Sequence, residues 1–400
     1  MHAESSNDLA EQLRTATDSF RITANGSWLS AGRPVAAQRE LSVRGIRGIV
    51  EYVPGDLTIT VRAGTSHSEI DAATFGEGQW LGLDPAGADL GTIGATVATA
   101  SVGPLVHGIG AVRDIVLGVE VVAGNGVVTR SGGKVVKNVA GFDLVRLQTG
   151  AWGTLGVITE MSLRLRARPE TDVTVALELD ARTPMLAHLV RLRNLTLAPL
   201  ALELIGAPLA QALGISQQTV FLVRLGGNES RVNGQRALLA TLGSLVSCDT
   251  SVWENLRRFE ATLNAATNDS DKKQVGTATA VARVSHLPSQ LHDAWAHVHA
   301  ELASHSLSPA FIRATTSRGV IRVLAPQPAT LSAVEYQSAL TSITRTLAPP
   351  GGHVVWEQLP ASAWSGVPSL VFDELSRGLQ RTFDPDSRCN FGILGASFVK

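Results

Sequence analysis

The chain has 400 residues, 44% hydrophobic and 17% charged, enough apolar material for a sizeable core in two domains, or in one domain with a cap. A net charge of −1 provides no basic field for nucleic acid. Two cysteines, Cys248 and Cys389, are too few and too far apart in sequence for an iron–sulfur cluster or a cysteine zinc site.

The first residues lack the basic and apolar regions of a secretory signal, and no apolar run reaches about 18 residues, so a cytoplasmic protein with no transmembrane segment is expected. In chain order, the pattern predicts a helix over 9–20 and a short strand over 21–24, which enters the loop Asn25-Gly26-Ser27-Trp28-Leu29. Residues 57–61 alternate as a half-buried strand, and Ser66-His67-Ser68-Glu69 has the form of a capping box opening a helix. Gly91-Thr92-Ile93-Gly94-Ala95-Thr96-Val97-Ala98 follows a turn and reads as a short helix whose free N–H groups suit a diphosphate, with Gly94 allowing close approach. Residues 116–122 and 127–129 are strands joined by the Asn-Gly hairpin signal in Ala123-Gly124-Asn125-Gly126. A loop and helix over 137–149 return to the glycines at 150–156, and 157–165 forms a closing strand.

A charged, proline-containing joint at Arg166-Ala167-Arg168-Pro169-Glu170 marks a domain boundary, dividing 1–168 from 169–400. Beyond it, strands (173–177, 219–225, 319–324) mix with amphipathic helices (183–193, 287–302, 331–347), as suits an α+β cap domain. Residues 264–274 read as an exposed loop.

Glycines crowd the stretch 84–160, which points to a large ligand held by main chain. The common nucleotide motifs are absent from it. Gly108-Ile109-Gly110-Ala111-Val112-Arg113 begins like GxGxxG but ends in arginine with no strand feeding it, and there is no GxxxxGK[ST].

Several segments together carry a family resemblance: Arg62-Ala63-Gly64-Thr65, Gly91-Thr92-Ile93-Gly94, Gly103-Pro104, Val112-Arg113-Asp114, Lys137-Asn138-Val139-Ala140-Gly141-Phe142-Asp143-Leu144 and Gly153-Thr154-Leu155-Gly156-Val157-Ile158-Thr159-Glu160. The chain resembles the vanillyl-alcohol-oxidase (PCMH-type) flavoprotein superfamily, and within it the FAD-binding accessory subunit of bacterial glycolate oxidase. Weaker echoes run to Phe383-Asp384-Pro385, near the C-terminus. The resemblance implies an α+β fold: a PCMH-type FAD-binding domain of two α+β subdomains, then an α+β cap with a C-terminal return to the flavin domain.

It also implies noncovalent FAD held by Asn25, Gly26, Ser27 and Trp28, by Pro85, and by Gly91, Thr92, Ile93, Gly94, Val97, Ala98 and Ser101. Further implied contacts are Gly103, Pro104, Val112, Arg113 and Asp114, then Gly153, Gly156, Val157 and Ile158. Arg113 and Asp114 read as an ion pair fixing the flavin loop. Phe142 stands where the family commonly has tyrosine, and Asn390-Phe391-Gly392 stands for its usual Asn-Pro-Gly.

The implied activity is oxidation of a 2-hydroxy acid to a 2-oxo acid, with electrons passing to a second flavoprotein subunit and an iron–sulfur subunit. Those partners would place the complex at the inner face of the membrane. A stand-alone D-2-hydroxyacid dehydrogenase and a non-catalytic scaffold are the alternatives. His107 and His353 are candidate bases and Arg283 and Arg322 candidate carboxylate binders, each also readable as a plain loop residue or ion pair. His292, His297 and His299 are five and two apart, on different faces of a helix, so no metal site is expected.

Overall fold

The computed structural model describes the chain except residues 36, 88–90, 134–142, 180–181, 267–278, 372 and 396–400, and except the side chains of 264–266. It divides into two compact units, one formed by Met1–Gly103, Gly110–Arg168 and Pro368–Lys400, the other by Pro104–Ile109 and Pro169–Val367. The chain crosses between them at Arg168 and Pro169 and returns at Pro368.

In the first unit, five antiparallel strands lie in the spatial order Ile49–Val53, Thr58–Arg62, Val157–Arg164, Val116–Val122, Val128–Gly132. The hairpin closes where Asn-Gly predicts it, with Gly126 at φ +78° and Ala123 N–H bonded to Val127 O at 2.9 Å. The first helix, Ser6–Thr15, is shorter than expected. Its Leu9, Ala10 and Leu13, at helical spacing, join Phe20, Leu41 and Val43 in a local core. Phe20–Thr23 pairs in parallel with Arg39–Ser42, and the C-terminal segment bonds to the same strand, Phe20 N–H to Arg388 O and Asn390 N–H to Phe20 O.

The capping box at Ser66 forms both of its bonds, Glu69 N–H to Ser66 Oγ at 3.2 Å and Ser66 N–H to Glu69 Oε2 at 2.8 Å. It starts the helix His67–Phe75.

The second unit is built on an eight-stranded antiparallel sheet in the order Leu245–Cys248, Thr171–Glu178, Val220–Gly227, Ala201–Ile205, Phe311–Thr315, Val320–Ala325, Ala280–Ser285, His353–Gln358. Helices Met185–Asn194, Glu229–Ala240, Leu291–Ser304 and Ala333–Ile343 bury Leu189, Leu239, Val298 and Tyr336 into its main core. Helix Val252–Ala266 contributes Trp253 and Leu256 to a second cluster. That helix takes in the start of the stretch expected as a loop, and residues 267–274 of that stretch lie outside the described residues.

Three arginines stand directly opposite one another across this sheet, Arg313 to Arg322 and Arg322 to Arg283. Like charges at such positions repel unless countered. Three carboxylates counter them. Glu203 meets Arg313 at 2.7 Å, Glu260 meets Arg322 at 2.5 Å, and Glu357 bonds Arg322 at 2.7 Å and also pairs with Arg283. Burial alone would raise the Glu357 carboxyl, yet Arg322 and Arg283 hold it below its ordinary value.

Breaking a buried ion pair on one side is costly because the remaining charge stays in the interior. Arg322→Met is therefore expected to destabilise the protein by about 3–5 kcal/mol, read as a lowered denaturant midpoint at unchanged slope. A loss below about 1 kcal/mol, the value of an exposed pair, would show that the cluster is solvated.

Candidate functional site

The first unit holds a cleft with a mostly apolar lining, as cofactor and small-molecule sites have. Its wall is made by residues 21–29, by the helix Ile93–Thr99, by Gln148 and 152–158, and by Asn390 and Ile393 from the C-terminal segment.

The loop after Phe20–Thr23 turns at Gly26, whose φ of +80° a side chain would strain. Arg21 shapes the rest of the loop: its Nη2 donates to the carbonyls of Trp28, Leu29 and Ala31 at 3.2, 3.3 and 3.3 Å. Burial lowers the Arg21 pKa, with Glu40 opposing. The backbone N–H groups of Gly26, Ser27 and Trp28 find no acceptor among the described residues. Successive free donors around a left-handed glycine are suited to an anion. Asn25, Gly26, Ser27 and Trp28 all stand on the cleft wall.

The helix Ile93–Thr99 departs from expectation. Its first N–H groups are not free: Ile93 donates to Thr65 O at 2.9 Å, Gly94 to Ala63 O at 2.9 Å, and Ala95 to Thr92 Oγ1 at 3.3 Å. The donors that usually make a helix start an anion seat are spent on protein acceptors. Gly94 is small for a related reason. A Cβ there would lie 2.6 Å from the Ala63 Cβ, so the glycine lets the helix dock on the 62–65 turn. Thr92, Gly94 and Ala98 still face the cleft.

Opposite the loop, Gly153 and Gly156 have φ of +69° and +134°, and a Cβ on Gly156 would lie 2.5 Å from Val122 O. Val157 and Ile158 follow them along the wall. The preceding turn is pinned to the helix, Gly150 N–H to Val97 O at 3.0 Å and Trp152 N–H to Ala98 O at 2.8 Å. Trp152 meets Trp28 edge-on at 5.8 Å, and Ile393 packs with both. Asn390 closes the ring: its Oδ1 accepts from Ile22 N–H at 2.8 Å and its Nδ2 donates to Trp152 O at 2.9 Å.

The other residues named from the sequence lie off this wall. Ile93 and Val97 are core, and Pro85, Ser101 and Val112 are buried. Gly91 O accepts from His67 N–H at 3.3 Å. Gly103 sits where a Cβ would fall 1.9 Å from Asp84 O, and Pro104 belongs to the second unit. Arg113 and Asp114 are a loose, exposed pair at 3.9 Å, and Asp114 Oδ2 instead accepts from Ala111 N–H at 2.9 Å. Lys137, Asn138, Gly141 and Phe142 lie outside the described residues. Sequence reading misses Arg21, Gln148 and Trp152 as wall residues; the first two lie outside the glycine motifs, and the third is the large residue within one.

In the second unit, His107 has a buried Nδ1 with no hydrogen-bond partner, and burial together with Arg318 lowers its pKa to about 4. Near neutrality it is an uncharged and weak base. His353 is exposed at the start of the sheet's edge strand. Arg322 is committed on both sides to Glu357 and Glu260, which removes it as a free carboxylate binder, and the Nε of Arg283 faces Glu357. His297 Nε2 bonds to Thr346 O at 2.8 Å while His299 packs on Trp295, and among the described residues no group of three His, Cys, Asp or Glu could hold a metal.

Residues 1–132 match the model of the FAD binding domain family. Glycolate oxidase subunit GlcE of Escherichia coli (strain K12) is 41% identical over 181 residues, 44% of this chain and 51% of that protein. Glycolate oxidase subunit GlcD of Bacillus subtilis (strain 168) is 34% identical over 163 residues, 40% of this chain and 34% of that protein. The matches thus span about half or less of these relatives' length. Among solved structures, 4-ethylphenol oxidase from Gulosibacter chungangensis superposes with a TM-score of 0.72 at 13% identity, over 99% of this chain and 88% of that one, a likeness of fold. The first 132 residues thus match the FAD binding domain family, and the chain shares the α+β fold of the 4-ethylphenol oxidase.

Proposed function

We propose that this chain is an FAD-dependent oxidoreductase acting on a 2-hydroxy acid, and that it works as the FAD-binding subunit of a glycolate oxidase-like complex. The observation that carries this reading is the 41% identity to glycolate oxidase subunit GlcE, together with an apolar cleft whose wall includes residues of the segment that matches the FAD binding domain family. The residues present fit the cofactor. Three N–H groups without acceptors among the described residues, at Gly26, Ser27 and Trp28, would take the diphosphate, and Gly153, Gly156, Val157 and Ile158 would line another part of the wall with main chain.

FAD, when bound, supplies the acceptor for the hydride leaving C2 of the 2-hydroxy acid. The chain's own part is positional. Arg21 keeps the loop carbonyls turned onto its guanidinium, and Asn390 holds Ile22 and Trp152 at fixed separation. The two electrons then leave to a second flavoprotein subunit and an iron–sulfur subunit. On this reading the complex would work in the cytoplasm, held at the inner face of the membrane by its partners; no described helix is long and apolar enough to cross a membrane.

Two substitutions separate the anion seat from the packing contact. Gly26→Val is expected to leave a folded chain with FAD bound roughly ten-fold or more weakly, because a β-branched residue strains the left-handed turn that presents the donors. Gly94→Val is expected to lower the melting temperature first, since its side chain meets Ala63. Acid precipitation reads flavin content, and noncovalent FAD appears in the supernatant. A Gly94→Val protein with wild-type melting and no flavin would return the diphosphate to the helix start.

The partner requirement is tested by stopped-flow reduction of the isolated, flavin-loaded chain with glycolate and with D-lactate. Slow reduction that becomes fast when the partner subunits are added is expected. Fast reduction of the isolated chain would favour a stand-alone dehydrogenase.

A further inference from the structure

The short helix Leu144–Gln148 ends on a residue out of keeping with its surroundings. Gln148 is only 2% exposed, yet its carboxamide has no hydrogen-bond partner among the described residues. The other polar groups of this turn are paired. Asp143 accepts from Arg146 N–H at 3.1 Å, Thr149 Oγ1 donates to Val145 O at 2.8 Å, and Gln148 O accepts from Ala151 N–H at 3.3 Å. Gln148 lines the cleft. It also lines a smaller pocket with Thr129 and Ser131 in its wall.

An amide on a cleft wall with no protein partner is left to water, which a ligand offering matched groups can replace. Glutamine at this point is accounted for when a ligand in the cleft completes its bonding. The ligand must offer an acceptor for the N–H₂ and a donor for the carbonyl, side by side on one edge. A diphosphate supplies acceptors alone. Both ring systems of FAD carry such an edge, the adenine at its N6 amino group and N1, the isoalloxazine at its N3–H and the flanking carbonyls.

We propose that Gln148 is a cofactor-holding residue, whose carboxamide pairs with one ring edge of the FAD bound in this cleft. The inference rests on the reading that FAD occupies the cleft. It assigns to a side chain part of a contact otherwise made by backbone. It also explains why the amide stays open in the protein alone. Were the group structural, it would turn to Thr129 and Ser131 in the neighbouring cavity, and its removal would weaken the empty protein.

The test uses Gln148→Met, which keeps length and removes hydrogen bonding, and Gln148→Leu as a second variant. The apo forms are titrated with FAD by flavin fluorescence, and their melting temperatures are recorded without cofactor. Both variants are expected to bind FAD about ten-fold or more weakly than wild type, with apo melting unchanged or raised. FMN and ADP as separate probes assign the contact, because the loss should follow one fragment.

Wild-type affinity for FAD in both variants would overturn the inference, as would a lowered apo melting temperature in both or a loss seen with neither fragment. A wild-type chain that fails to bind FAD at all would instead overturn the reading on which the inference stands.

Discussion

The cleft depends on one buried side chain more than on any other. Asn390 accepts from Ile22 N–H and donates to Trp152 O, so one carboxamide joins segments 368 and 238 residues away in sequence. Both ends of the amide are satisfied, and the backbone sits at φ +45°, a left-handed value that asparagine tolerates better than most residues. With Phe20 bonded to Arg388 and Asn390 on the neighbouring strand, the chain's C-terminal return becomes a structural part of its N-terminal unit. Loss of that return would open the cleft at its base and leave two backbone groups unpaired, the kind of defect that buried polar networks tolerate least.

Within this frame, the distribution of free and spent backbone donors decides where a ligand can sit. The helix Ile93–Thr99 uses its first N–H groups on Thr65, Ala63 and Thr92, and the 150–152 turn seals its other end through Val97 and Ala98. This helix is a buttress. The loop at 26–28 is the reverse case, with the carbonyls of Gly26 and Trp28 engaged by a local turn and by Arg21, and with three N–H groups that find no acceptor among the described residues. Diphosphate recognition by main chain requires donors that nothing else claims. The second unit handles its polar groups differently, since its row of arginines is balanced by Glu203, Glu260 and Glu357 and so contributes order rather than an open cation at Arg322.

Local chemistry is the legible part of the sequence. The Ser66 capping box and the Asn-Gly hairpin at 125–126 each depend on residues near one another in the chain, and the structure places each where the sequence does. Strands such as Ala201–Ile205 escape sequence reading because all five residues are buried, which erases the alternation that marks a half-exposed strand. Gly94 is correctly singled out as a close-approach position, but the neighbour that requires it is Ala63 rather than a ligand. No local pattern says what a missing Cβ would touch. Arg21, Gln148 and Trp152 escape for the same reason, since their roles arise from contacts across the fold. Arg322 is readable from sequence as a carboxylate binder or as an ion pair, and its two carboxylate partners, 62 and 35 residues away, come into view only in the fold.

The central claim is that the cofactor's diphosphate rests on the loop at Gly26, Ser27 and Trp28. A crystal structure of the chain with FAD tests it most directly. Diphosphate oxygens are expected within about 3 Å of those N–H groups, with Ile93 and Gly94 still bonded to Thr65 and Ala63. A diphosphate seated on the start of the Ile93–Thr99 helix, with those two protein bonds broken, would contradict it.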